Sequence, residues 1–312
     1  MTSTRRNKTL VVITGPTAVG KTELSIDVAR DLKTGIISAD ARQFYRELQV
    51  GTATPSSGQL QTVPHYLIGH LSVKDYYNVA LYEKHALKIM EGLFRRSDHV
   101  VVTGGSGLYI DTLCRGIDQL PDPDPVLREK IHQVYLEDGL TALRQWVKKV
   151  DPEYYGQADQ ANPKRMMRAL EVFLSSGVPF SMLRKQNFKE RPFSIKRIVL
   201  DRPRKELFDR INARTTLMIR QGLIEEALGL YRYRHLNALN TVGYKEIFNW
   251  LANKYSLHTA VAKIKINTRR YAKRQLTWFK RYDDAAWFHP DEKEKMMQWL
   301  CHGAPAGGKR QA

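Results

Sequence analysis

The stretch that most constrains this chain is Gly15-Pro16-Thr17-Ala18-Val19-Gly20-Lys21-Thr22. It fits Gly-x-x-x-x-Gly-Lys-Thr, the phosphate-binding loop, and its surroundings fit as well. The apolar run 9–14 predicts a buried β-strand leading in, and residues 22–29 predict an amphipathic helix leading out. The residue types follow from what a diphosphate needs, which is many N–H donors on one curved surface. Gly15 and Gly20 let the backbone curl and approach the oxygens closely. The helix N-terminus adds partial positive charge. Lys21 supplies a full charge, and Thr22 a hydroxyl for Mg2+. Such a loop accepts any diphosphate, so the organic part of the ligand must be read elsewhere.

Further strands are expected at 34–40, ending in Asp40, and at 99–103, with 64–68 a strand or an ordered loop. Residues 56–61 read as a polar linker or short turn. Residues 78–96 have helical periodicity, with Leu81, His85, Ile89 and Leu93 spaced by four. After 99–103, Gly104-Gly105-Ser106-Gly107 turns the chain into another helix. This alternation predicts an α/β fold, a P-loop NTPase-like parallel sheet flanked by helices. Past the turn-rich 121–125 the patterns become helical, at 126–137, 140–150 and 163–176. Asn162 is placed to cap the last of these, with Pro163 in its first position. Strand character returns at 196–200. We therefore expect a core of residues 1–115 and 195–312, its C-terminal part helical and RNA-binding, and a helical insertion domain at 116–194. Helices are expected at 205–220, 259–282 and 293–300, before a loose basic tail at 303–312.

Charge supplies the next constraint: 50 Lys and Arg against 32 Asp and Glu, a formal +18 over 312 residues. That excess points to a polyanionic partner, nucleic acid before a membrane surface. No apolar run approaches the ~20 residues of a membrane span. The N-terminal residues are polar and basic, without the apolar segment of a secretory signal. The two cysteines, Cys114 and Cys301, are far apart. They exclude a disulfide framework and a cysteine zinc site, and suit a reducing cytoplasmic setting.

Four groups of residues are candidates for chemistry. Asp40 closes an apolar strand, so its carboxylate emerges at the carboxyl edge of the sheet, where ligands collect in open α/β folds. It reads as a metal-binding acid of an NTPase or as a general base beside the loop. The strand at 101–103 has no terminal acid, which weakens the NTPase reading. The Gly104–Gly107 turn brings Ser106 and backbone N–H groups near the reacting atoms. Arg210 and Arg214 share a helical face and, with Lys205, reach an anionic ligand. Finally, residues 263–281 carry eight basic and no acidic side chains. Tyr271, Trp278 and Phe279 are interleaved among them, as stacking surfaces or as a packed face. This is a plausible rail for an RNA backbone, and Lys164-Arg165-Met166-Met167-Arg168 offers a second contact.

An ordered series of motifs carries a resemblance. After the loop come Ser38-Ala39-Asp40-Ala41-Arg42-Gln43, Gly51-Thr52-Ala53, Pro64-His65, Gly104-Gly105-Ser106-Gly107-Leu108-Tyr109, Arg168-Ala169-Leu170-Glu171-Val172, Val242-Gly243-Tyr244 and Lys273-Arg274-Gln275-Leu276-Thr277-Trp278-Phe279-Lys280. In this order, over residues 8–290, the chain closely resembles the bacterial tRNA dimethylallyltransferases. The resemblance implies transfer of a dimethylallyl group from dimethylallyl diphosphate to N6 of the adenosine at tRNA position 37, 3′ of the anticodon, in tRNAs reading codons that begin with U. It implies that residues 17–22 hold the diphosphate, Lys21 neutralising it and Thr22 placing Mg2+. Asp40 then accepts the N6 proton, Ser106 stands beside the target amine and Arg214 meets the leaving diphosphate. The tRNA-contacting segments would be Asp40-Ala41-Arg42-Gln43, Lys164 to Arg168, Asn240-Thr241-Val242-Gly243-Tyr244-Lys245 and Lys273 to Lys280, with Arg128 a further contact. A cytoplasmic monomer is expected.

Two positions depart from the family pattern. Ala41 stands where Ser is common after the acid. Ser106 replaces the usual Thr, keeping the hydroxyl and losing the methyl. Two other classes compete with the resemblance. A nucleoside or small-molecule kinase explains loop and fold but not the basic helix. An RNA-binding NTPase explains the charge but wants a clear metal-binding acid.

Overall fold

The computed structural model describes residues 8–122, 124–185 and 188–302. The N-terminal residues before Lys8, Pro123 of the turn-rich boundary and the basic tail at 303–312 lie outside the described residues.

Six strands, β1 (Thr9–Thr14), β2 (Ile36–Ser38), β3 (His65–Tyr66), β4 (His99–Gly104), β5 (Ser194–Leu200) and β6 (Ala285–Phe288), form one parallel sheet in the order β3-β2-β4-β1-β5-β6. Alternation within the strands explains its two covered faces. Leu10, Val12, Ile37, Val100 and Val102 bury themselves in one core, and Val11, Ile13, Ile36, Val101 and Ile198 in another. Because β1 lies between β4 and β5, the phosphate loop leaves the sheet at its middle, flanked by the ends of its neighbours.

Four helices accompany the first four strands: α1 (Lys21–Asp31), α2 (Ser57–Thr62), α3 (Val79–Phe94) and α4 (Gly107–Arg115). The stretch read as a polar linker is α2, started by a Ser56–Gln59 capping box. Residues Arg115–Glu190 form a separate compact unit of α5 (Pro125–Val150), α6 (Pro152–Gln157), α7 (Pro163–Ser176) and α8 (Phe180–Leu183). Gly139 breaks α5 with a φ of 74°, between the two stretches read as separate helices. Asn162 caps α7, as its position predicts, accepting from the N–H groups of Lys164 and Arg165. Ile131, Leu143, Val147, Met166 and Leu170 make this unit's own core.

The chain then returns to the sheet unit, adding α9 (Arg204–Arg220), α10 (Leu223–Leu230), α11 (Tyr244–Leu251), α12 (Leu257–Phe279) and α13 (Lys293–His302). The return comes earlier than residue 195. Arg191 already donates to the carbonyls of Leu113 and Thr112 and pairs with Glu83 at 2.5 Å, all of the sheet unit. The sequence reading also missed β6. Its four residues are too few to show a period, and it is held as an edge strand by pairing with β5, whose buried Arg197 pairs with Asp284. Among the described residues no helix is long and apolar enough to cross a membrane.

Candidate active site

The loop between β1 and α1 is held from both sides. Gly15 has a φ of 148°, and a Cβ there would stand 2.5 Å from the Leu200 carbonyl oxygen, so this position requires glycine. Arg202 donates to the Val19 carbonyl at 2.8 Å and Arg210 to that of Ala18 at 2.8 Å. Lys21 Nζ donates to the carbonyls of Gly15 and Pro16 at 3.0 and 2.8 Å.

Asp40 follows β2. Its Oδ1 accepts the Arg42 N–H at 3.0 Å, which fixes the turn. The Gly-rich turn after β4 packs directly on this segment. Gly104 lies against the Ala39 backbone where no Cβ would fit, and Ser106 Oγ accepts the Ala41 N–H at 3.0 Å. The Ser106 hydroxyl thus accepts from the backbone and keeps its own proton to donate into the cavity. An Ala at 41 suffices here because the contact uses its amide alone.

These pieces line one cavity of about 1270 Å³ in the sheet unit. Thr17, Lys21 and Thr22 lie on its wall with Asp40, Arg42, Ser106 and Arg214. Arg214, half-buried on α9, donates to Thr17 Oγ1 at 3.4 Å and to the Thr52 carbonyl at 3.3 Å. Ile211, Leu217, Met218, Leu223 and Ile264 give the cavity an apolar portion. Burial pulls the Lys21 ammonium down to about 8, the Asp40 carboxylate opposing the fall and Arg214 adding to it. Burial lowers Arg214 too, again against Asp40. Burial raises the Tyr271 phenol, and Asp40 adds to the rise. One carboxylate therefore acts on two cations and a phenol in the same space, a pattern that marks functional sites. Among the described residues no three His, Cys, Asp or Glu side chains cluster as a metal cage. The Thr22 hydroxyl on the cavity wall suits a cation that takes most of its ligands from a substrate's phosphate oxygens and water.

Comparison with known proteins decides the family. The IPP transferase family profile matches residues 43–282. The tRNA dimethylallyltransferase 1 of Phocaeicola vulgatus is 48% identical over 292 residues, 94% of this chain and 97% of that protein. The chain belongs to the IPP transferase family. It is a transferase. The full-length tRNA isopentenylpyrophosphate transferase of Bacillus halodurans is 30% identical and matches with a TM-score of 0.70, over 94% of this chain and 96% of that one. A eukaryotic dimethylallyltransferase acting on tRNA, 23% identical, shares the fold with a TM-score of 0.79, over 97% of this chain and 82% of that one.

Within this IPP transferase the expected RNA segments divide. Ala41, Arg42, Gln43, Asn240, Thr241, Val242, Gly243, Lys245, Arg274 and Gln275 line the cavity with Asp40. Gln43 is engaged by the protein, its carboxamide donating to the Thr52 and Ala53 carbonyls. Tyr244 is fully buried, and its hydroxyl donates to Glu226 at 2.6 Å. The same Glu226 carboxylate accepts the N–H groups of Gln49, Val50 and Gly51. Gly51 lies under the Tyr244 ring, where a Cβ would come within 2.6 Å. Tyr244 thus braces the 49–51 loop, and its side chain offers RNA nothing. On α12, Lys273, Arg274, Thr277 and Lys280 are exposed, whereas Gln275 and Phe279 are buried and Leu276 is partly so. Trp278 is partly buried and donates to Asp111 at 3.1 Å. Of the three aromatics read as stacking surfaces or as a packed face, Tyr271 lines the cavity, while Phe279 is buried and Trp278 partly so.

Arg128, Lys164, Arg165, Met166, Met167 and Arg168 belong to the helical unit. There Lys164 and Arg165 are exposed, Met166 is core, and Arg128 and Arg168 both pair with the buried Glu171. The inward positions had a visible signal. Ile264, Ala272, Gln275, Phe279 and Tyr282 recur at helical spacing, as do Met166, Ala169 and Leu170. Gly15, Pro16 and Val19 are buried, whereas Thr17, Ala18, Gly20, Lys21 and Thr22 line the cavity.

Proposed function

We propose that this chain transfers a dimethylallyl group from dimethylallyl diphosphate to N6 of the adenosine at tRNA position 37, releasing diphosphate. The observation that carries the reading is the shared cavity. Lys21, Thr22 and Arg214, suited to a diphosphate, lie in it with an acid, Asp40, a hydroxyl, Ser106, and an apolar portion. The diphosphate takes the loop, Lys21 and Arg214, and the short tail takes the apolar wall. Adenine N6 is a weak nucleophile because its lone pair is conjugated with the ring. The prenyl carbon gains positive character as its C–O bond to diphosphate breaks, and the loop amides, Lys21 and Arg214 stabilise the charge that builds on the leaving group. Ser106 orients the amine, and Asp40 takes its proton once the C–N bond forms. The adenosine enters only after leaving its stack. Thr22, with oxygens of the diphosphate, would hold Mg2+, which when bound offsets leaving-group charge. We further propose a monomer working in the cytoplasm.

The direct test is to incubate the protein with dimethylallyl diphosphate and an unmodified anticodon stem-loop, then digest the RNA to nucleosides. One adenosine 3′ of the anticodon should carry the prenyl mass. Modification scattered over other adenosines, or none, would refute the site assignment.

Two further results are expected. Lys273, Arg274 and Lys280 are exposed on one basic helix. Removing each cation that meets a phosphate should reduce the log–log salt slope of RNA binding by roughly 0.7–0.9. A triple Ala variant with unchanged slope would make this face merely solvated. The second concerns pH. Burial holds Lys21 down to about 8, and a bound diphosphate raises it, so donor binding takes up a proton. Affinity is therefore full below that pH and weakens as pH rises through it, with a limiting slope of about one log unit per pH unit. Lys21→Arg should flatten this dependence, since guanidinium stays charged throughout. Donor KM measured from pH 7 to 10 decides it.

A further inference from the structure

Gln275 sits on the inward face of α12 and is 6% exposed. Both ends of its carboxamide are committed to backbone. Its Oε1 accepts the Thr17 N–H of the phosphate loop at 2.9 Å, and its Nε2 donates to the Gly105 carbonyl at 2.9 Å. The fit is tight, because Nε2 occupies the place a Cβ on residue 105 would need. One residue further on, Ser106 holds the Ala41 amide beside Asp40.

The same helix face continues the grip. Gly107 packs against Trp278 where no Cβ would fit. Trp278 and Tyr282 both donate to Asp111, at 3.1 and 2.6 Å. Lys273 and Thr277, with Lys280 just past the helix end, are exposed, and Arg274 is exposed beside the cavity it lines. A residue needed only to fill space would not require a donor and an acceptor aimed at two different catalytic segments. A buried amide so placed specifies one geometry, since breaking either bond strands a polar group.

We propose that Gln275 is a positioning residue. It holds the phosphate loop and the Ser106 turn in register with each other and ties both to the helix carrying the exposed cations. This rests on reading the cavity as the donor site and that helix as the RNA-facing one. Diphosphate on the loop and RNA on the helix then bias the same arrangement, so each tightens the other by an equal factor.

The test uses the full-length chain and its Gln275→Leu and Gln275→Glu variants. Leu removes both bonds at similar volume, while Glu keeps the acceptor for Thr17 and loses the donor to Gly105. Inorganic pyrophosphate with Mg2+ is titrated calorimetrically, with and without an unmodified anticodon stem-loop. In each variant pyrophosphate should bind about 10-fold more weakly and turnover should fall by at least as much, as expected for broken buried hydrogen bonds. RNA alone should bind within about twofold of wild type, because the buried Gln275 carboxamide spends both its bonds on Thr17 and Gly105. RNA should tighten pyrophosphate in the wild type and not in the variants. A lower binding stoichiometry with unchanged Kd means Gln275 only supports folding, and overturns the proposal. So does wild-type pyrophosphate affinity that ignores RNA. These readouts need no chemistry. Absence of prenyl transfer by the wild type would sink the proposed function and leave Gln275 to be judged by the titrations.

Discussion

Lys21→Ala should reduce prenyl transfer by about 10³-fold or more while leaving the protein folded, beyond the usual cost of one transition-state donor because a full charge goes. The cause lies in the loop. Lys21 bonds the carbonyls of Gly15 and Pro16 and is otherwise directed to the cavity it lines with Asp40 and Arg214. Its ammonium is held below its ordinary range by burial, so the fold keeps a cation there at some cost to stability. A bound diphosphate offsets that cost in the ground state. It does so more fully as negative charge builds on the leaving group. Removing the side chain should therefore lower kcat as well as donor affinity. The loop itself keeps its Arg202, Arg210 and Gln275 anchors. Steady-state kinetics beside a thermal melt checks this. A folded variant retaining more than a tenth of wild-type turnover would remove Lys21 from leaving-group stabilisation.

Asp40→Asn should lower turnover by about 10²-fold or more, the scale for a missing general base, with RNA affinity little changed. The substitution is well matched to the question. Asp40 Oδ1 accepts the Arg42 N–H, and an Asn oxygen can keep that bond and the turn it fixes. What disappears is the charge and the basicity. The charge has a second readout, because Asp40 raises Lys21 against the burial that lowers it. In the variant, the pH at which donor binding begins to weaken should move below the wild-type value near 8. Loss of turnover without that displacement would separate Asp40 from Lys21. Displacement without loss of turnover would leave Asp40 an electrostatic residue and no base.

The contrast between what was legible and what was not follows from the range of the interactions. The phosphate loop is legible locally. Eight consecutive residues, with a strand before and a helix after, carry its motif, while Arg202, Arg210 and Gln275 anchor it from distant parts of the chain. Asp40 was legible because a carboxylate ending an apolar strand has one place to emerge. The helical spacing turns Gln275 inward, but its bond to the phosphate loop is not legible, because Thr17 is 258 residues away. Glu226 went unread for the same reason, joining the 49–51 loop to Tyr244. The motifs around Gly51 and Tyr244 look like separate features in sequence and are one contact in space. The basic run 263–281 was read by composition. The helix divides it by face, so that only part of a charged, aromatic-rich stretch meets solvent.

On the proposed function, this loop serves a prenyl donor and not ATP. The most direct measurement is label transfer from dimethylallyl diphosphate to an unmodified anticodon stem-loop, with Mg2+ and no ATP, run beside ATP hydrolysis with and without the same RNA. Label on the RNA, dependent on Lys21, is expected, with no RNA-stimulated hydrolysis. RNA-stimulated ATP hydrolysis without prenyl incorporation would contradict the claim.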